Sequence, residues 1–161
     1  MSDEPRRPTH VDAEGAVHMV GVGAKAETSR RAVAVASVRM HPETVRAARD
    51  GDGPKGDVGA TVRLAGILGA KRTSDLIPLC HPVRLVSVEV ALRWRDDGAD
   101  VTVTAEAVDR TGVEMEAMTG ASVAALALYD MVKGLERGVT IERVALLEKS
   151  GGRTGTWRRE P

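Results

Sequence analysis

Asp130 and Lys133 stand three residues apart in a run dense in Ala, Leu, Met and Val that extends from Gly112 to Leu135. At that spacing a carboxylate and an ammonium are neighbours on a helix surface. The flanking Leu126, Leu128, Tyr129, Met131 and Val132 predict partial burial, which would shift both pKa values. The plainer reading is a surface ion pair worth on the order of a few tenths of a kcal/mol. A second cation, Lys55, sits in GDGPKGD (Gly51–Asp57), a loop by composition. There it is either solvated or able to close over an anionic ligand, and it can act as an acid or base if desolvated. A third candidate is LIPLCHP, where Pro78 and Pro82 bracket Leu79, Cys80 and His81 and predict an extended segment. In an extended chain adjacent side chains point to opposite sides, which argues against a Cys–His nucleophilic pair. His81 is then either presented to a ligand or structural. A metal site is not expected, since only His10, His18 and His41 remain to complete one.

Two further acids, Glu114 and Glu116, interrupt the apolar pattern at the start of the same run. Glu116 and Asp130 are fourteen residues apart, roughly 21 Å along a helix axis at about 1.5 Å per residue. One small ligand would meet both ends only if neighbouring subunits supplied them, which would place a site at a subunit interface. Near the C-terminus, Lys149-Ser-Gly-Gly-Arg153-Thr-Gly is glycine-rich and basic. It is not a Walker A loop, whose lysine follows the glycines. It reads as a mobile tail, or as a lid that closes on phosphate with Lys149 and Arg153. Gly21-Val22-Gly23-Ala24-Lys25-Ala26 fits the GxGxxA dinucleotide fingerprint, but a further strand follows it where that fingerprint needs a helix N-terminus, so it is set aside.

The elements that must carry these residues follow from periodicity. Arg31–Met40 is β-rich and apolar on both faces, and His41–Asp50 is a short helix with Pro42 at its start. Val58–Lys71 has helical spacing, and its Gly59, Gly66 and Gly69 predict close packing against a neighbour. Arg84–Trp94 alternates, with Val86, Val88, Val90, Leu92 and Trp94 on one face, and pairs as a hairpin with Val101–Val108. Gly112–Leu135 is the main helix and Gly138–Glu148 the last strand. The order β, α, β, β, α, β is the split βαβ, ferredoxin-like α+β arrangement: an antiparallel sheet with two main helices on one face. Its open face, partly apolar, predicts self-association, unless Val11–Ala26 covers it within one chain.

The chain has 161 residues, which is one domain's worth. That domain is expected over residues 9–155, with a disordered tail at 1–8 and a C-terminal tail at 156–161. Lys plus Arg and Asp plus Glu number 23 each, so no broad basic field draws nucleic acid, and aromatics are only 2%, too few for a base-stacking sheet. The lone Cys80 excludes an intrachain disulfide. With no signal-like leader and no membrane-length apolar run, the expectation is a cytoplasmic protein. Two classes of function stay open on the residues: an enzyme, or a small-molecule-binding regulatory module, which the same fold also hosts.

THVDAEGAVHMVGVGAKAET, KGDVGATVRLAGILGAKRTSDLIPLCHP, TGVEMEAMTGASVAALALYDMVK and LLEKSGG, in that order over Thr9–Gly152, together resemble the cyclic pyranopterin monophosphate synthase (MoaC) family of molybdenum-cofactor biosynthesis. LIPLCHP with GVEMEA and YDM carries most of the specificity. The resemblance implies a ferredoxin-like fold assembled as a hexamer, a trimer of dimers, with sites at dimer interfaces. It implies a small nucleotide-derived substrate, (8S)-3',8-cyclo-7,8-dihydroguanosine 5'-triphosphate, converted to cyclic pyranopterin monophosphate and diphosphate by a phosphorus–oxygen lyase. It implies Asp130, Lys133 and Lys55 as catalytic residues, and Leu79, Cys80, His81, Glu114, Met115, Glu116 and Lys149 as substrate-binding residues. No cofactor is required on this view, and magnesium on the triphosphate is compatible with it.

Overall fold

The computed structural model describes residues 9–152 and 155–160. Five strands form one antiparallel sheet: β1 (Thr28–Arg39), β2 (Leu85–Arg95), β3 (Gly98–Asp109), β4 (Thr140–Ser150) and β5 (Trp157–Arg158), in the order β2-β3-β1-β4-β5. Without the short β5 this is the ferredoxin-like order. The helices are α1 (Pro42–Asp50), α2 (Val58–Lys71), α3 (Thr73–Leu76) and α4 (Glu114–Val132).

The two central strands are small-residue strands for a packing reason. Ala32, Ala34, Ala36 and Val38 of β1 and Val101, Val103, Ala105 and Ala107 of β3 point into one core with Leu128, Val132, Ala121 and Ala124 of α4. Short side chains on the sheet let the helices approach closely. Glycines of α2 do the same, Gly66 against β2 and Gly69 against α4. A Cβ on Gly66 would lie 2.9 Å from Val90 Cγ2, and one on Gly69 would lie 2.7 Å from Val123 Cβ. The close packing expected of these glycines is therefore present at Gly66 and Gly69 but not at Gly59, where a Cβ would meet only the side chains of Arg63 and Asp57.

Other expectations are corrected. Thr73–Leu76, for which no element was expected, is a turn of helix, with Thr73 Oγ1 donating to Ala70 O at 2.9 Å. Val86 does not share the core face of β2. A register shift between Leu85 and Ser87 leaves it 64% exposed, and Leu85 packs on the core in its place. The chain from Lys149 does not begin as a tail, since Lys149 and Ser150 end β4 and Trp157 pairs with Lys149. Arg153 and the 1–8 segment lie outside the described residues.

The open face of the sheet is partly apolar, as expected. Val35, Ser37 and Ala145 are buried there by their neighbours, but Arg31 crosses the face to Glu148 at 2.7 Å and Glu106 at 3.5 Å. Large apolar side chains are also exposed on the helices: Leu64 and Leu68 of α2 and Leu126 of α4 are each more than half exposed. Within 9–27, only His10, Val20 and Val22 are half-buried, and they line a cavity beside Cys80 and His81. Among the described residues no helix is long and apolar enough to cross a membrane.

Candidate active site

One cluster forms at the C-terminal end of α4. A carboxylate in the last turn of a helix opposes the helix dipole and needs cations to hold it there. Asp130 has two. Lys133 Nζ reaches Oδ1 at 2.7 Å and Lys55 Nζ reaches Oδ2 at 2.6 Å. Lys133 is delivered by helical spacing. Lys55 is delivered by a loop anchored at both ends. Gly51, at φ 83°, ends α1 in the left-handed conformation, and Asp57 caps α2 by accepting from Ala60 N at 2.8 Å. The hydrogen bonds from Lys133 and then Lys55 hold the Asp130 carboxyl down at about 2, and Asp130 in turn raises the Lys133 ammonium. The partial burial expected of this pair is absent, for both side chains are about half exposed. Ion pairing, not desolvation, sets the two protonation states. Lys55 and Lys133 line a cavity of about 370 Å³ with Pro54, Tyr129, Gly134 and Arg137.

A second cluster forms at the N-terminal end of the same helix, where acids are favoured by the dipole. Glu114 accepts from Lys149 Nζ at 3.1 Å, so the last full strand and the helix start are tied by one ion pair. Glu116 is only 2% exposed, and burial pushes its carboxyl up. Its Oε1 receives the Cys80 thiol at 3.8 Å, while its Oε2 has no hydrogen-bond partner among the described residues. Burial and then the Glu116 charge raise that thiol to about 11. A turn closed by Cys80 N to Ile77 O at 3.1 Å brings the loop after α3 to this point. Leu79, Cys80, His81, Glu114 and Met115 then share a cavity of about 500 Å³, with Lys25 at its wall. Cys80 and His81 therefore face one space, against the opposite-sides expectation, because this segment is a turn rather than a strand. Glu116 does not line that cavity and stands behind Cys80.

The structure thus gathers the expected residues into two groups at opposite ends of one helix. Lys25 and Arg137 were not singled out for these cavities. Lys25 stands inside the discarded GxGxxA string, and Arg137 belongs to no motif, so spacing gave no signal for either. Among the described residues no three His, Cys, Asp or Glu side chains gather to hold a metal ion.

Fold and site together define a ferredoxin-like α+β protein with a lysine-flanked carboxylate at one end of its main helix and an acid- and histidine-bearing cavity at the other. The MoaC family model matches residues 19–152, most of the chain, and the protein belongs to the MoaC family. It is 53% identical over 154 residues to the cyclic pyranopterin monophosphate synthase of Thermomicrobium roseum, covering 94% of this chain and 93% of that protein. It is 52% identical over 150 residues to the protein of the same name from Novosphingobium aromaticivorans, covering 93% of this chain and 96% of that one.

Proposed function

We propose that the chain is a cytoplasmic cyclic pyranopterin monophosphate synthase of molybdenum-cofactor biosynthesis. It would convert (8S)-3',8-cyclo-7,8-dihydroguanosine 5'-triphosphate to cyclic pyranopterin monophosphate and diphosphate. The observation that carries the chemical reading is Asp130 held between Lys55 and Lys133. At neutral pH the pair enters the reaction as carboxylate and ammonium, so Lys133 starts as proton donor and Asp130 as acceptor. Ring opening and reclosure need such transfers to nitrogen and oxygen. A sugar hydroxyl then attacks the α-phosphorus. The new oxygen–phosphorus bond closes the cyclic phosphate as the bond to diphosphate breaks, and Lys55 stabilises the departing charge.

At the other cluster, Glu114 accepts hydrogen bonds from ring N–H groups, His81, Leu79 and Met115 shape the pocket, and Lys149 meets phosphate. Cys80 lines that pocket, and Glu116 supports it from behind. Because the clusters lie about 21 Å apart along one helix, a complete site takes one cluster from each of two chains. A homo-oligomer, a hexamer built as a trimer of dimers, is part of this reading, and the exposed Leu64, Leu68 and Leu126 support burial against other copies. No redox cofactor is required on this reading, and magnesium on the substrate's triphosphate is compatible with it. Chelator-treated protein is expected to keep its turnover when magnesium is restored with the substrate.

The test is to incubate purified protein with the cyclised nucleotide and assay diphosphate and pterin release. Lys133→Ala and Asp130→Asn are expected to lower turnover by about 10²-fold or more, with the oligomer intact by light scattering. Near-normal product from either variant contradicts the assignment. Binding without turnover by the unaltered protein favours a regulatory module.

A further inference from the structure

The cavity at the C-terminal end of α4 holds one more cation than the lysine–aspartate cluster uses. Lys55 and Lys133 each donate to Asp130. Arg137, from the turn between α4 and β4, lines the same cavity, and its guanidinium has no hydrogen-bond or ion-pair partner among the described residues. The acid next to it in sequence cannot neutralise it. Glu136 is turned to the start of α1, where Oε2 accepts from His41 N at 2.9 Å and Oε1 lies 3.6 Å from His41 Nε2. The backbone at Arg137 is held in place: Tyr129 Oη donates to Arg137 O at 3.2 Å, and Leu135 N and Glu136 N both bond Val132 O. Three cations from two connecting segments and one helix end therefore border one cavity, and a single carboxylate is paired with them.

We propose that Arg137 is a further substrate-binding residue of this cavity, contacting the phosphate chain of the triphosphate alongside Lys55 and Lys133. This rests on the function proposed above, which supplies the triphosphate. The chemistry fits the division of labour. The two lysines are point charges that share their charge with Asp130, whereas a planar guanidinium with no partner among the described residues can give two parallel N–H bonds to a phosphate. Arg137 acts on binding the polyphosphate, not on the proton transfers, since Asp130 and Lys133 hold each other without it.

The experiment compares Arg137→Gln and Arg137→Lys with the unaltered protein in two measurements. In turnover of the cyclised nucleotide, Arg137→Gln is expected to raise KM about tenfold with kcat within about twofold, the loss of one charge-assisted contact. Arg137→Lys restores part of that loss. In direct binding of inorganic tripolyphosphate by calorimetry, Arg137→Gln weakens affinity by a similar factor, while orthophosphate binding changes little. An unchanged KM together with unchanged tripolyphosphate affinity overturns the proposal, as does a fall in kcat with KM unaltered. The second measurement separates the two readings. If the unaltered protein binds tripolyphosphate through Arg137 but releases no diphosphate, the synthase assignment fails and the anion site stands.

Discussion

Asp130 is ionised across the whole physiological range because two ammonium groups hydrogen-bond its two oxygens. Its folded-state pKa lies below the ordinary carboxylate value of about 4. The contribution of this pairing to stability is therefore fully present above that value and is lost as pH falls through about 2. It is a small contribution, since both partners are half exposed and screened by solvent. The carboxyl carbon of Asp130 in labelled protein should titrate near 2, and Lys133→Met should move that midpoint upward; an unchanged midpoint would mean that Lys55 alone sets it. Cys80 shows the opposite electrostatics, a thiol pushed up to about 11 by burial and by Glu116. At pH 8 it should alkylate at least tenfold more slowly than a free cysteine thiol of pKa about 8.5. Glu116→Gln should speed that reaction by removing the facing charge. At this scale the sequence was legible for residue identity and for the Asp130–Lys133 spacing. It was misleading on burial, because Leu128, Met131 and Val132 point into the core while Asp130 itself turns outward.

Helices α2 and α4 meet at positions where there is no room for a side chain. Gly69→Ala would set a Cβ 2.7 Å from Val123 Cβ and 3.2 Å from the backbone carbonyl of Thr119, which has little freedom to move. The overpacking outweighs the roughly 1 kcal/mol of helix propensity gained, so a net loss of about 1–2 kcal/mol is expected. Gly59→Ala is the control. Its new Cβ meets the flexible end of Arg63 at 3.1 Å, and stability should hold or rise slightly. Thermal unfolding at matched protomer concentration measures both, because an assembled protein's midpoint depends on concentration. The helix spacing of Val58–Lys71 was readable despite its three glycines, and the structure returns the same boundaries. The bulge at Val86 and the helical turn at Thr73 were not. A bulge depends on the partner strand's register, and α3 is too short for its period to show above a proline-rich context.

On the proposed function the two clusters at the ends of α4 are half-sites of one composite site, and that makes a prediction about the proposed assembly. His81→Ala damages one cluster and Lys133→Ala the other, so each variant alone should be nearly inactive. Subunits of the two, unfolded and reassembled together, should recover about one quarter of the unaltered activity if each site draws one cluster from each of two symmetry-related chains. No recovery after mixing would place both clusters' work within a single chain. The sequence by itself determined the order of the main elements, the ferredoxin-like topology, the Asp130–Lys133 pairing and the separation of Glu116 from Asp130 along one helix, because periodicity, turn chemistry and helix spacing are local properties of the chain. Tertiary structure alone decided that Lys55 reaches Asp130, that Glu116 stands behind Cys80 and out of the cavity, that Lys149 is tied into a strand, and that the Arg137 guanidinium is left unpaired among the described residues. Those outcomes depend on which distant segments come within hydrogen-bond reach of each other, and separation along the chain carries no record of that.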